Sequence, residues 1–287
     1  MSTDYAIRPL TPDEVLIAVD WAAREGWNPG LSDARCFLSV DADGFWGGFL
    51  NGELIATISV VNYDAQFAFL GFYIVHPDHR GQGYGLRLWQ AATAHAGDRL
   101  IGLDGVQEEQ ANYAKSGFQL AYRNIRFGGP IREALKGLPD GEQSTSLNEL
   151  TAEVEAFDRA AFPAPRSKFL SHWLTAEGHV ARALYLDNEL RGYGVIRPCR
   201  SGFKIGPVIA DDAEIARALT SALLRAVPDT VHDQDVFLDV PEPNSAAGEL
   251  ARDMGLTPVF ETARMYTGPA PKIAVDRIFG VTTFELG

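Results

Sequence analysis

Between an almost continuously apolar stretch, residues 67–75, and an amphipathic one, residues 86–96, stands Arg80-Gly81-Gln82-Gly83-Tyr84-Gly85. Three glycines in six residues let a backbone come close to a ligand, because no Cβ stands in the way. With a strand before them and a helix after, the free N–H groups of the turn and of the first helical turn point at one spot. That spot, at the positive end of a helix dipole, suits a phosphate or pyrophosphate. A Walker loop needs Gly-Lys-Ser/Thr, and no lysine follows these glycines. The dinucleotide fingerprint places its third glycine one residue later than Gly85. Asp104 could serve as its acidic residue, but the strands before the turn read as antiparallel rather than βαβ.

The elements that must hold this turn are legible on either side. Residues 7–10 read as a first strand. Thr11, Pro12 and Glu14 then form a capping box with proline in the first helical position, starting a helix to about residue 25 that stops at Gly26. Trp27-Asn28-Pro29-Gly30 is a turn. Residues 45–50 and 54–61 are strands joined at Asn51-Gly52, the strongest short hairpin signal. Residues 67–75 are a buried central strand. A strand at 100–104, a helix at 107–115 closed by Ser116-Gly117-Phe118, and a last strand at 119–127 complete the first half.

The run from Val75 through His76-Pro77-Asp78-His79 to Gly85 closely resembles the acetyl-CoA motif of the GNAT N-acetyltransferases. That motif, Arg/Gln-x-x-Gly-x-Gly/Ala, is matched by Arg80, Gly83 and Gly85. The family's second signature, a helical tyrosine before Gly-Phe, is matched by Tyr113 and Gly117-Phe118. The resemblance covers residues 5–127. It implies an α/β fold with a mixed, V-split sheet flanked by helices. The pantetheine of acetyl-CoA would lie in the split against the main chain of Ile74 and Val75. The pyrophosphate would sit on the glycine turn, at Gly81, Gln82, Gly83, Tyr84, Gly85 and Leu86. Arg80 either contacts phosphate or caps its own loop.

The same resemblance implies direct attack of an amine on the thioester in a ternary complex. Such chemistry needs a neutral amine, a polarised carbonyl and a proton for the leaving thiolate. Tyr113 is the implied donor. Asp104, ending a strand beside the split, is the first candidate for the base, with Glu108, Glu109 and His76 behind it. Asp239 occupies the matching place in a second half that lacks the glycine turn, which favours a structural role for Asp104. The acceptor pocket is expected near the first helix and its turn. There Trp27, Asn28 and Asp33 could offer a cationic amine an aromatic face and a carboxylate.

The second half echoes the first. Leu54 and Leu190, Gly71 and Gly206, Asp104 and Asp239, and Gly117 and Gly255 line up at nearly constant separation, which reads as internal duplication. Opposite the glycine turn stands only a plain helix, residues 213–226. The chain therefore resembles bacterial tandem-GNAT proteins with a degenerate second copy. So do Arg264-Met265-Tyr266-Thr267-Gly268 and Phe279-Gly280-Val281-Thr282-Thr283-Phe284. The expected organisation is an acetyl-CoA-binding domain at 1–130, a linker at 131–150 and a degenerate domain at 151–287. The basic run Arg191, Arg197, Arg200 and Lys204 reads as a solvated hairpin face or a dock for an acidic group.

Composition removes other classes. A net charge of −13 over 287 residues, shared almost evenly by the halves, leaves no basic groove for nucleic acid. It mildly favours cationic acceptors. Two cysteines make neither a disulfide scaffold nor a cysteine-rich zinc site, and His172 and His179 are separated by Gly178, so no metal is expected. No leader and no membrane span are read, which leaves a cytoplasmic chain with a small-molecule amine as partner. Homodimerisation, acyl length and a purely CoA-sensing role stay open.

Overall fold

The computed structural model describes residues 4–139 and 144–287. The first half runs β1 (Tyr5–Pro9), α1 (Pro12–Arg24), α2 (Asp33–Leu38), β2 (Phe45–Leu50), β3 (Glu53–Asn62), β4 (Phe67–Val75), α3 (Tyr84–Ala96), β5 (Leu100–Val106), α4 (Gln110–Lys115) and β6 (Gln119–Pro130). The second runs α5 (Ile131–Lys136), β7 (Ser144–Ser146), α6 (Ala152–Ala161), α7 (Ser167–Trp173), β8 (Val180–Leu186), β9 (Glu189–Pro198), β10 (Phe203–Ala210), α8 (Ala213–Arg225), β11 (Asp235–Pro241), α9 (Ser245–Asp253), β12 (Thr257–Tyr266) and β13 (Ile278–Gly280). Of the expected linker, residues 140–143 lie outside the described residues, while Ser144–Ser146 pairs with β8 as a strand. Residues 107–109 form a 3-10 turn ahead of the shorter helix α4.

Local chemistry explains the starts and turns. Thr11 Oγ1 accepts from Glu14 N at 3.3 Å, and Glu14 returns its carboxylate to Thr11 N at 2.8 Å, which closes the capping box on α1. Asn51 and Gly52 both have positive φ, as a primed two-residue turn between β2 and β3 requires.

The halves share one mixed sheet, ordered β1-β2-β3-β4-β5-β12-β6-β11-β10-β9-β8-β7. They exchange strands: β12 of the second half pairs with β5, and β6 of the first half pairs with β11. Residues 119–127, expected as a last strand, belong to a longer strand in the middle of the sheet. Two buried ion pairs cross this exchange in matching fashion. Arg264 on β12 holds Asp104 on β5, and Arg126 on β6 holds Asp239 on β11.

The split forms where β4 and β5 part. Their parallel register runs from Phe67↔Leu100 to Leu70↔Leu103 and goes no further. Against β3 the register of β4 slips between Ser59↔Gly71 and Thr57↔Ile74, a bulge at Phe72, whose φ is +49°. One extra residue reverses the alternation of side chains. Before it, Phe67 and Phe69 face the core under α1, and Ala68 and Leu70 the core under α3; after it, Phe72 and Ile74 face α1, and Tyr73 and Val75 face α3.

The second half repeats this device at an offset of 135. Its parallel register runs to Ile205↔Leu238 and breaks at a bulge around Gly206-Pro207. Here the gap is filled: β13 pairs with β10, and Val281 N donates to Asp239 O at 2.7 Å. One copy of the split is open and the other is plugged by the chain's own tail.

Candidate active site

The open split is a slot through the sheet between the two cores. Its outer groove is lined by Glu25, Tyr73 to Val75, His79 to Gly81, Gly83, Gly85 and Leu86, with Glu108 and Glu109 across from them, and encloses about 750 Å³. Trp27, Tyr73, Val106, Tyr113 and Phe260 line both this groove and a narrow inner chamber of about 40 Å³. Leu70, Gly71 and Leu103 lie at the closed end, where the two strands rejoin.

The glycine turn has the expected form. Gly81 and Gly83 have φ of +74° and +84°, a region that side chains other than glycine enter at a cost. Gly83 caps α3, and the first backbone bond into the helix is Arg87 N to Gly83 O at 3.2 Å. The N–H groups of Gly83, Tyr84, Gly85 and Leu86 precede that bond and are free of helical partners. A Cβ on Gly85 would lie 2.6 Å from the Tyr73 hydroxyl, so the helix needs glycine to sit this close to the strand. The turn leaves room, donors and dipole for a pyrophosphate. Gln82 donates its amide to Asp78 O at 2.9 Å. Arg80 donates to Val75 O at 2.8 Å and to Glu25 Oε1 at 2.6 Å, so in this structure it caps the end of β4.

Tyr113 reaches the slot from α4. Its ring stacks on Trp89 with centroids 5.8 Å apart and lies over Gly105, where a Cβ would stand 2.2 Å from its Cε2. Burial, and next to it the carboxylate of Glu109, raise the Tyr113 hydroxyl above its usual value. The hydroxyl therefore keeps its proton at neutral pH.

The candidate base and the acceptor residues come out differently. Asp104 lines the inner chamber, but Arg264 donates to it twice, Nε to Oδ1 at 2.8 Å and Nη2 to Oδ2 at 2.6 Å, and Asn124 adds a bond at 2.8 Å. A carboxylate so engaged binds β5 to β12. Asp33 is fully buried; it accepts from Arg197 Nε at 2.9 Å and from Gly30 N at 2.8 Å, and it lines neither the groove nor the chamber. Asn28 exchanges bonds of 2.8 and 2.9 Å with Ser201. Asn28 fastens the turn after α1 to the β9–β10 loop, Asp33 fastens α2 to β9, and neither lines the cavities, which corrects their reading as acceptor ligands. Trp27 is in the site, and its carbonyl accepts from Arg126 Nη1 and Lys204 Nζ, each at 3.0 Å. Arg197 and Lys204, read as part of a solvated face, are 1% and 3% exposed and underlie this wall. His76 lies outside both cavities.

Sequence reasoning missed Tyr73, Phe260, Phe284 and Glu285 as lining residues. Phe260 on β12 and the tail at Phe284 and Glu285 come from the second half, so part of the inner chamber of a first-half split is built by the other copy. The matching of Gly71 with Gly206 was the available signal. A Cβ on Gly206 would stand 2.2 Å from Val281 O, and one on Gly71 2.2 Å from Glu285 O, so each glycine admits the tail to one split.

Comparison with known proteins agrees with this geometry. Residues 13–118 match the profile described as acetyltransferase (GNAT) family, and residues 154–280 match that of an acetyltransferase (GNAT) domain. The chain is 34% identical over 283 residues to holothin acyltransferase of Pseudoalteromonas sp. strain SANK 73390, covering 99% of this chain and 95% of that one. Its fold is similar to that of a putative acetyltransferase from Pyrococcus horikoshii, with TM-score 0.82 at 23% identity over 99% of this chain and 96% of the other. It is also similar to a tandem GNAT protein from the clavulanic acid biosynthesis pathway, with TM-score 0.64 at 15% identity over 93% and 100%. Among the described residues, no helix is long and apolar enough to cross a membrane.

Proposed function

The chain belongs to the GNAT acetyltransferase family as a tandem member, and from that premise we propose that its first half binds acetyl-CoA and passes the acetyl group to a primary amine of a small molecule. The observation that carries this reading is the asymmetry of the two splits. The open one has the glycine turn at its mouth and Tyr113 in its wall. The filled one lacks the turn, and β13 pairs with β10 where its gap would be.

In this reading Gly81 to Leu86 hold the pyrophosphate on backbone N–H groups, and the free edge of β4 at Ile74 and Val75 takes the pantetheine as an added strand-like partner. Arg80 fixes the end of β4. Tyr113 protonates the departing thiolate. Residues 1–130 supply the donor site, and residues 151–287, reached through 131–150, close the acceptor side with Phe260 and Phe284 opposite Trp27. An aromatic wall of this kind suits a cationic or flat amine.

The test is Tyr113→Phe. Acetyl transfer is expected to fall by about one to two orders of magnitude, as for loss of a general acid, with acetyl-CoA affinity unchanged. Holothin is the first acceptor to try, because the relative that matches nearly the whole chain is named for it. Donor binding without turnover across a broad amine panel would favour a CoA-sensing protein. Faster turnover with propionyl- or succinyl-CoA would move the activity to a longer acyl group.

A further inference from the structure

The last residues of the chain pass from one split to the other. Arg166 Nη1 donates to Thr282 Oγ1 at 3.0 Å, and Tyr63 donates its hydroxyl to Leu286 O at 2.9 Å, so the segment is fastened on both sides of Glu285. Glu285 itself is 3% exposed and lines the inner chamber, and neither carboxylate oxygen has a hydrogen-bond partner among the described residues. Buried polar groups are nearly always bonded, and a buried carboxylate without a partner is costly. The charged groups that bear on it are Lys204 on β10, Asp33 on α2, Arg126 on β6 and Arg197 on β9. The cations among them hold other partners, Arg126 holding Asp239, Arg197 holding Asp33 and Lys204 the Trp27 carbonyl, and of their buried nitrogens Arg197 Nη1 has no hydrogen-bond partner among the described residues. Asp104, the other carboxylate of the chamber, is saturated by Arg264 and Asn124. Burial raises the Glu285 carboxyl above the usual carboxylate range, against the pull of Lys204.

We propose that Glu285 is the residue that receives the acceptor's ammonium group and takes its proton. This rests on the acyl-transfer reading above. Glu285 comes from the tail on the α1 side of the sheet and Tyr113 from the α3 side, and both line the same chamber. An amine nitrogen that passes Trp27 and Phe260 into the inner chamber comes within the lining that Glu285 and Tyr113 share. One ammonium N–H bond breaks and an O–H bond forms on Glu285. The freed lone pair makes the N–C bond, and the C–S bond breaks. Tyr113 gives its proton to sulfur and recovers the surplus proton from nitrogen, and Glu285 releases its own to solvent. A chamber of about 40 Å³ holds a group of a few heavy atoms. The fitting class is therefore a primary amine on an unbranched carbon, with its body against the aromatic wall.

The experiment pairs benzylamine with benzyl alcohol, titrated calorimetrically into wild type and Glu285→Gln at pH 8 in the presence of CoA. Wild type is expected to bind the amine at least tenfold more tightly than the alcohol, and the variant is expected to lose that preference while binding acetyl-CoA as wild type does. Acetyl transfer to benzylamine by the variant should fall about 10²- to 10⁴-fold near neutral pH, and the deficit should shrink as pH rises and free amine accumulates. Glu285→Asp, which keeps the charge on a shorter stem, should retain part of the preference. Equal amine binding by wild type and Glu285→Gln, or an unchanged pH–rate profile, would overturn the assignment. Failure of wild type to bind acetyl-CoA would overturn the acyl-transfer reading itself, and the assignment with it.

Discussion

Replacing Gly105 by alanine adds one methyl group, and the structure says where it goes. The new Cβ would stand 2.2 Å from Tyr113 Cε2 and 2.6 Å from Cδ2. Carbon atoms settle at about 3.5–4.0 Å, so the ring must withdraw by roughly 1–1.5 Å. Trp89 stacks on that ring at 5.8 Å, so the movement opposes an existing contact. Overpacking of this kind costs about 1–3 kcal/mol of stability. The larger effect is on chemistry, because a shift of about 1 Å in a catalytic group costs about 10²-fold. Gly105→Ala should therefore lower kcat for acetyl transfer about 10²-fold and leave the acetyl-CoA dissociation constant within about twofold, since the glycine turn is untouched. The double variant with Tyr113→Phe should lose little more than either alone, because in the proposed mechanism both act on the same proton donor. Steady-state rates with a thiol-release readout and calorimetric titration of acetyl-CoA measure both quantities. Wild-type kcat in Gly105→Ala, or full additivity in the double variant, would refute the placement of the proton donor at Tyr113.

Asp239→Asn leaves Arg126, 4% exposed at its side chain, without its charged partner in the middle of the shared sheet. The expected loss is about 3–5 kcal/mol, read as a fall in denaturation midpoint with an unchanged slope. Glu285→Gln should do the reverse. The folded state raises the Glu285 carboxyl, so its contribution is favourable below the ordinary carboxylate pKa and is lost as pH rises through the folded value. The variant should melt about 2–4 °C above wild type at pH 8, for roughly 1 kcal/mol regained, and the gain should vanish towards pH 4. A lower melting point at pH 8 would show that Glu285 is satisfied in the folded protein. Gly71→Ala, whose methyl would meet Glu285 O, should weaken amine binding without touching acetyl-CoA affinity, measured by the same titrations.

Much of the first half was legible because its signals are local. Thr11 and Glu14 cap α1 through neighbours three residues apart, Asn51-Gly52 dictates its turn, and the apolar run at 67–75 can only be an interior strand. The glycine turn and Tyr113 stand where the motif spacing puts them. What escaped depends on contacts between the copies. Strands β6 and β12 carry matching patterns, and nothing in either pattern says that β12 pairs with β5 while β6 pairs with β11. Arg197 and Lys204 looked like surface charges because their partners, Asp33 and the Trp27 carbonyl, are more than 160 residues away in sequence. Asp33 was misplaced for the same reason. Glu285 lies 172 residues after Tyr113, in a tail with no periodic pattern, and only the fold brings the two to one chamber.

The central claim is that one split of two is open for a donor. Isothermal titration of acetyl-CoA into the whole chain tests it most directly, with ATP and NAD as controls and Gly83→Val as the loop variant, because Gly83 holds φ at +84° and a β-branched residue cannot follow it there. The account predicts one site per chain, lost in Gly83→Val. Two sites, or a single site that survives that substitution, would contradict it.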